Sequence, residues 1–226
     1  MKKLLLMATT LVAALTINAQ TYDFSAITIA QSDLTVTNGS VALDGEKLVV
    51  KNTAGETVTM SIAQVPNVTF SYKNSQEKNA FKITPGKYIQ LDGDQRDITF
   101  SNLTVGTKIT LTVASKGGTP NSFEDSETKG TGLTGCVWSA GNKKLAPKEG
   151  ELVFEDVTIQ AIAPTATIRC TAGGYCLSKI VIGDDTAINN ATADEKVQTR
   201  KEIINGQLYI IRDGVYYNAL GAEVRR

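Results

Sequence analysis

The sequence predicts an all-β protein: an antiparallel β-sandwich, jelly-roll-like, followed by a small C-terminal β-meander. Three observations carry this. The chain from Gln20 onward holds 25 threonines, a β-branched enrichment that suits pleated strands. Apolar residues alternate with polar ones in short runs, as a half-buried strand requires, and no long stretch repeats at helical spacing. Turn dipeptides punctuate those runs at short intervals, the rhythm of a sandwich or barrel and not of βαβ units.

The elements follow in order. Met1 to Ala19 reads as a secretory signal peptide, with Lys2 and Lys3 ahead of an apolar run from Leu4 to Ile17 and a small residue, Ala19, at the cut. That run is too short for the ~20 residues that span a bilayer. An exported chain acting at the cell surface or outside it is therefore expected, with no membrane span once the signal is removed. Residues 20–183 form the sandwich. Its clearest strands are Val68-Phe70-Tyr72, Phe81-Ile83, Ile109-Leu111-Val113, Ala166-Ile168-Cys170 and Val157-Ile159. Asn38-Gly39, Asp44-Gly45, Pro85-Gly86 and Asp92-Gly93 sit between strand-like runs and suit the positive φ of tight turns. Around 11 or 12 strands fit between Thr21 and Gly183 on this spacing. Residues Gly117 to Gly135 interrupt the pattern with glycines and acids. They form a long loop, which either binds something or is a solvated insertion. Residues 184–200 read as a polar linker. Residues 201–226 return to apolar runs split by Asn205-Gly206 and Asp213-Gly214, giving three short strands that cannot bury a core alone.

Composition excludes several functions. With 23 basic and 23 acidic residues the formal charge is +0, against the basic excess of a nucleic-acid binder. There is no histidine, so Ser-His-Asp and Cys-His catalysis and His-ligated metals are ruled out. No spacing of carboxylates selects the pair that glycoside hydrolysis needs, and we expect no enzyme activity and no cofactor.

Four residues stand out as ligand contacts. Sugar rings pack their C–H faces on aromatic surfaces. Trp138 follows the Gly-rich loop, Phe123 lies within it, and Tyr175 falls at the tip of a hairpin between Cys170 and Cys176, where exposure is expected. Lys143 is the polar partner. Asp92, Asp94 and Asp97 around Gly93 offer alternate oxygen ligands for a structural Ca²⁺, although Arg96 sits among them and Asp-Gly turn chemistry explains the same composition. Of the three cysteines, Cys136, Cys170 and Cys176, the last two flank the hairpin and form a candidate disulfide after export. Three buried thiols are the alternative.

The stretch Ile204-Asn205-Gly206-Gln207-Leu208-Tyr209-Ile210-Ile211-Arg212-Asp213-Gly214-Val215-Tyr216-Tyr217-Asn218-Ala219-Leu220-Gly221, with Glu223-Val224, resembles the C-terminal sorting domains of type IX secretion. That resemblance implies passage across an outer membrane. Phe81-Lys82-Ile83 with Tyr88-Ile89-Gln90-Leu91, then Lys108 to Val113, then Tyr175 to Ile182, is similar to galactose-binding-like sandwich modules that accompany polysaccharide-degrading enzymes. It implies a non-catalytic module whose partner is a polysaccharide or glycan; a cell-surface protein partner is the alternative. Asp185-Thr186-Ala187, in the linker, looks like a bacterial O-glycosylation acceptor.

Overall fold

The computed structural model describes residues 19–116, 120–148 and 150–183 with their side chains. It also describes the backbone of four strands within 199–224. Residues 1–18 of the signal segment and 184–198 of the linker, with Asp185-Thr186-Ala187, lie outside the described residues, while Thr199 and Arg200, expected in the linker, belong to a strand. The chain divides into two units, Met1–Asp185 and Thr186–Arg226.

The first unit is the expected antiparallel sandwich. Its strands are β1 (Gln20–Asp23), β2 (Leu34–Thr37), β3 (Gly39–Asp44), β4 (Lys47–Asn52), β5 (Thr57–Ile62), β6 (Val68–Lys73), β7 (Asn79–Thr84), β8 (Tyr88–Leu91) and β9 (Arg96–Phe100). They continue as β10 (Lys108–Ser115), β11 (Asn121–Ser122), β12 (Leu133–Thr134), β13 (Cys136–Ala140), β14 (Lys144–Leu145), β15 (Glu155–Ala161), β16 (Ala166–Arg169) and β17 (Tyr175–Ile182). The larger sheet runs β13-β15-β10-β17-β8-β7-β4-β3, with β1 also on β17. The smaller runs β12-β16-β9-β6-β5-β2, and β11 pairs with β14. The strand number exceeds the sequence expectation partly because β11, β12 and β14 are two residues each, below what any pattern of alternation can reveal.

The turn dipeptides divide into two kinds. Asp44-Gly45 and Pro85-Gly86 close true hairpins, β3–β4 and β7–β8. Asn38-Gly39 and Asp92-Gly93 instead carry the chain from one sheet to the other, since β2 and β9 belong to the smaller sheet and β3 and β8 to the larger. A left-handed residue, Asn38 at φ 56° or Gly93 at φ 127°, bends the chain in both settings, so the dipeptide marks a turn without stating its destination. Repeated crossing makes sequence-distant strands neighbours, as with β10–β17 and β9–β16. This is jelly-roll-like interleaving.

The core is the alternate face of both sheets. Val68, Phe70 and Tyr72 of β6, and Ile98 and Phe100 of β9, point inward with Phe81, Ile83, Ile89, Leu111 and Ile180 of the larger sheet, all buried. Phe70 and Phe81 meet edge-to-face across the sandwich at 5.9 Å between centroids, the offset geometry that ring quadrupoles favour. Arg96 occupies an inward position on β9 and is 4% exposed. It reaches the facing sheet where β7 carries a register shift opposite β4, between Val50/Lys51 and Phe81/Asn79. Its Nε donates to the Ala80 carbonyl at 2.9 Å and its Nη2 to the Asn79 carbonyl at 2.8 Å. A bulge leaves backbone groups outside the ladder, and here a cation from the opposite sheet takes them up.

The second unit is an antiparallel meander of β18 (Thr199–Ile204), β19 (Gln207–Arg212), β20 (Val215–Asn218) and β21 (Glu223–Val224). Ile204 faces Gln207 and Arg212 faces Val215, so two residues link each of the first two strand pairs, as Asn-Gly and Asp-Gly require. Glu223-Val224 adds a fourth strand to the three expected.

Candidate functional site

Three of the four expected ligand residues come together, but as core. Phe123 stacks on Trp138 with centroids 6.0 Å apart and planes at 29°. It meets Tyr175 edge-on at 5.3 Å. Phe123 is 1% exposed and Tyr175 0%. The expected exposure of Tyr175 is overturned, and the topology gives the reason. β16 ends in the smaller sheet and β17 begins in the larger, so residues 170–174 cross the sandwich and form no hairpin tip. Tyr175 enters β17 pointing inward. Trp138 is half-buried against the core, and its indole Nε1 donates to the Gly141 carbonyl at 3.0 Å. Lys143 is exposed; its carbonyl accepts from the Phe123 amide at 2.9 Å. These residues close one end of the core and present no open aromatic platform.

The same crossing removes the candidate disulfide. Cys136, Cys170 and Cys176 are free, buried thiols. Cys170 lies in the core beside Asn121 Nδ2 at 3.5 Å, whereas Cys176 shares its register row with Gln90 and Ala114 on the outer face of the larger sheet. One sheet separates the two sulfurs. Burial pushes the Cys170 thiol up and the Cys176 thiol up to about 12.

The three acids around Gly93 are dispersed onto separate cations. Asp92 lies between Lys82 at 3.2 Å and Lys116, Asp94 pairs with Lys129 at 3.1 Å, and Asp97 is held by Arg169. Among the described residues no group of three or more His, Cys, Asp or Glu side chains is placed to hold a metal ion. Burial raises the Asp92 carboxyl, yet Lys116 and Lys82 outweigh it and hold the group below the usual range. The Gly-rich loop is pinned where it is described. Asp125 Oδ1 accepts from the Gly132 amide at 2.9 Å, Ser126 and Gly130 exchange backbone bonds, and Glu124 pairs with Lys144.

The surface feature that alternation builds lies elsewhere, on the outer face of the smaller sheet. Register aligns Thr35, Ser61, Thr69, Thr99, Thr167 and Thr134 in one row across all six strands. A second row aligns Thr37, Thr59, Ser71, Asp97 and Arg169. At a strand spacing of ~4.8 Å the first row extends about 24 Å. Thr99 and Thr167 share a hydroxyl hydrogen bond at 3.0 Å. The second row runs into a groove of about 240 Å³ lined by Thr57, Ser71, Tyr72, Lys73, Gln95, Asp97 and Arg169. Arg169 grips Asp97 with two bonds, Nε to Oδ1 at 2.6 Å and Nη2 to Oδ2 at 2.7 Å. Asp97 pushes the guanidinium still further above its ordinary value. At the groove wall Gln95 adopts φ 58°, a left-handed conformation for a non-glycine residue. Its amide donates to the Cys170 carbonyl at 2.8 Å.

Of these residues only Asp97 stood out in the sequence, and then as a metal ligand. The signal was present in the alternation Thr35-Val36-Thr37, Thr57-Val58-Thr59, Thr69-Phe70-Ser71, Asp97-Ile98-Thr99 and Thr167-Ile168-Arg169. Each places an inward apolar residue, half-buried at Val36 and buried in the others, between two outward polar ones. That these segments lie side by side is a fact of register, which the sequence does not state.

No family model matches the chain, and no curated protein matches it. A solved structure titled "BiXyn10A CBM1 APO" aligns with it at 12% identity and a TM-score of 0.25, covering 73% of this chain and 96% of that chain. No helix among the described residues is long and apolar enough to cross a membrane.

Proposed function

We propose that this chain is an exported, non-catalytic glycan-binding module that holds its ligand on the outer face of the smaller sheet. The observation that carries the reading is the groove at Ser71, Asp97 and Arg169, continuous with two register rows of hydroxyls. A hydroxyl both donates and accepts, so a planar array of them complements a polyhydroxylated chain without charge. A few convergent polar groups in a concavity are what fixes a ligand's orientation.

The test is a glycan array followed by calorimetric titration of the full chain, with Ser71→Gln as the blocking variant. The longer neutral side chain fills the groove floor on a strand that already carries polar residues outward. Binding that survives Ser71→Gln unchanged places the ligand elsewhere. Absence of binding to every polysaccharide by a folded chain refutes the reading.

A further inference from the structure

The groove also carries a charge pattern, and we infer from it that the ligand is an acidic glycan, bound through a carboxylate or sulfate group at Lys73; this rests on the site proposed above. Three charged side chains line the groove: Lys73, Arg169 and Asp97. Asp97 and Arg169 neutralise each other through two short bonds. Both oxygens of the one carboxylate are thereby directed at protein. Lys73 is exposed on β6 and makes no ion pair or hydrogen bond among the described residues. Its cross-strand partner is Thr57, a neutral hydroxyl. The neighbouring Lys129 is already spent on Asp94 at 3.1 Å. The groove therefore holds one uncompensated positive charge.

The remaining lining groups point the same way. The Thr57 and Ser71 hydroxyls and the Gln95 side-chain NH2 can all donate. A site for a neutral sugar must accept protons from the sugar hydroxyls, for which carboxylates are the strongest acceptors. The charged acceptor in the groove lining, Asp97, is committed to a guanidinium, so the strongest uncommitted polar group of the site is the Lys73 ammonium, a donor suited to an anion. The chain as a whole carries a formal charge of +0, so attraction to polyanions cannot come from overall charge. It has to arise locally.

Affinity electrophoresis of the full chain tests this, in native gels containing polygalacturonate, dextran sulfate or unmodified dextran at low and high salt. Retardation is expected in one or both of the anionic gels, weakening as salt screens the contact, and not in dextran. The polygalacturonate and dextran sulfate arms tell a carboxylate from a sulfate ester. Lys73→Gln should lower the affinity about two- to fivefold, the range of an exposed ion pair. Lys82→Gln, on the other sheet, should leave it unchanged. Retention in dextran equal to that in the anionic gels, abolished by Ser71→Gln but indifferent to Lys73→Gln, overturns the acidic specificity and keeps the site. Equal loss with Lys82→Gln shows diffuse charge attraction and also overturns it. No retention in any gel overturns the acidic specificity, and the reading beneath it falls only if the glycan array is blank as well.

Discussion

Replacing Arg96 by lysine keeps the charge and tests what the guanidinium does. Arg96 sits inside the sandwich at 4% exposure. It spends three donors on carbonyls: Nε on Ala80 at 2.9 Å, Nη1 on Asp94 at 2.8 Å and Nη2 on Asn79 at 2.8 Å. Its Cζ lies 3.9 Å from the centre of the Tyr72 ring. Desolvation lowers its pKa, with Tyr72, Asp92 and Asp94 opposing. A lysine ammonium is a compact point charge without the planar fork, and in this position it reaches one of the three carbonyls. Two charge-assisted hydrogen bonds at roughly 1.5 kcal/mol each are lost, with about 1 kcal/mol of stacking on Tyr72. Part of that returns because an ammonium near the bulge draws in water, so the expected loss is about 3 kcal/mol. For a unit of this size each kcal/mol is about 2–4 °C, and Tm should fall by about 6–12 °C. Urea denaturation followed by circular dichroism at 218 nm (about the β minimum) measures the free energy directly. An Arg96→Lys variant within about 1 kcal/mol of the parent refutes the idea that the fork closes the bulge of β7.

Four further outcomes are expected. Tyr175→Phe should leave stability unchanged or raise it by about 1 kcal/mol, because the buried Tyr175 hydroxyl has no hydrogen-bond partner among the described residues; a loss above that in the same denaturation assay means the hydroxyl is satisfied. Trp138→Ala should cost about 2 kcal/mol of stability through its lost stacking on Phe123 and leave glycan affinity unchanged; reduced affinity with unchanged stability restores Trp138 as a contact. The Cys176 thiol rises from 9.0 unfolded to about 12 folded. Its contribution to stability is therefore complete below pH 9 and lost as pH climbs toward 12, because the unfolded state releases its proton first. Cys176→Ala should flatten that alkaline fall in Tm, and an identical fall in the variant counts against the buried thiol. Deleting residues 201–226 should leave the main thermal transition in place while altering export, since residues 1–185 form a compact unit by themselves; loss of the transition contradicts that independence.

The fold was legible because alternation is a local property. Val68, Phe70 and Tyr72 announce an inward face within six residues, and Pro85-Gly86 announces a hairpin within two. The site was less legible because it depends on register between segments far apart. Trp138 and Phe123 invited a ligand reading for the property that buries them, a large apolar surface best removed from water. Tyr175 was misplaced through a single topological step. Five residues between two strands look like a hairpin loop, yet Arg169 and Tyr175 belong to different sheets, and the connection passes from one to the other. The same step decided against a Cys170–Cys176 bridge. Asp92, Asp94 and Asp97 were correctly seen as close in sequence. Strand direction then sent each to a different cation, with Asp97 outward on β9 and Arg96 inward beside it.

That last adjacency links stability to the groove. Arg96 and Asp97 are consecutive on β9, and alternation turns them to opposite faces. The inward guanidinium fixes Tyr72 from below, and Tyr72 is also part of the groove lining. The outward carboxylate fixes Arg169 on the neighbouring strand. Just before them stands Gln95 at φ 58°, a backbone conformation that costs about 1 kcal/mol or more and persists only where its surroundings over-determine it. Its amide is bonded to Cys170, directly after Arg169. The groove wall is thus clamped from two strands and from the core at once. A site held in this way has little conformational entropy left to lose when a ligand arrives. It follows that loosening the inward clamp with Arg96→Lys should weaken glycan binding even though Arg96 never touches the outer face. A variant that is destabilised yet binds at full strength would separate the two faces of β9 and leave the groove dependent on Asp97 and Arg169 alone.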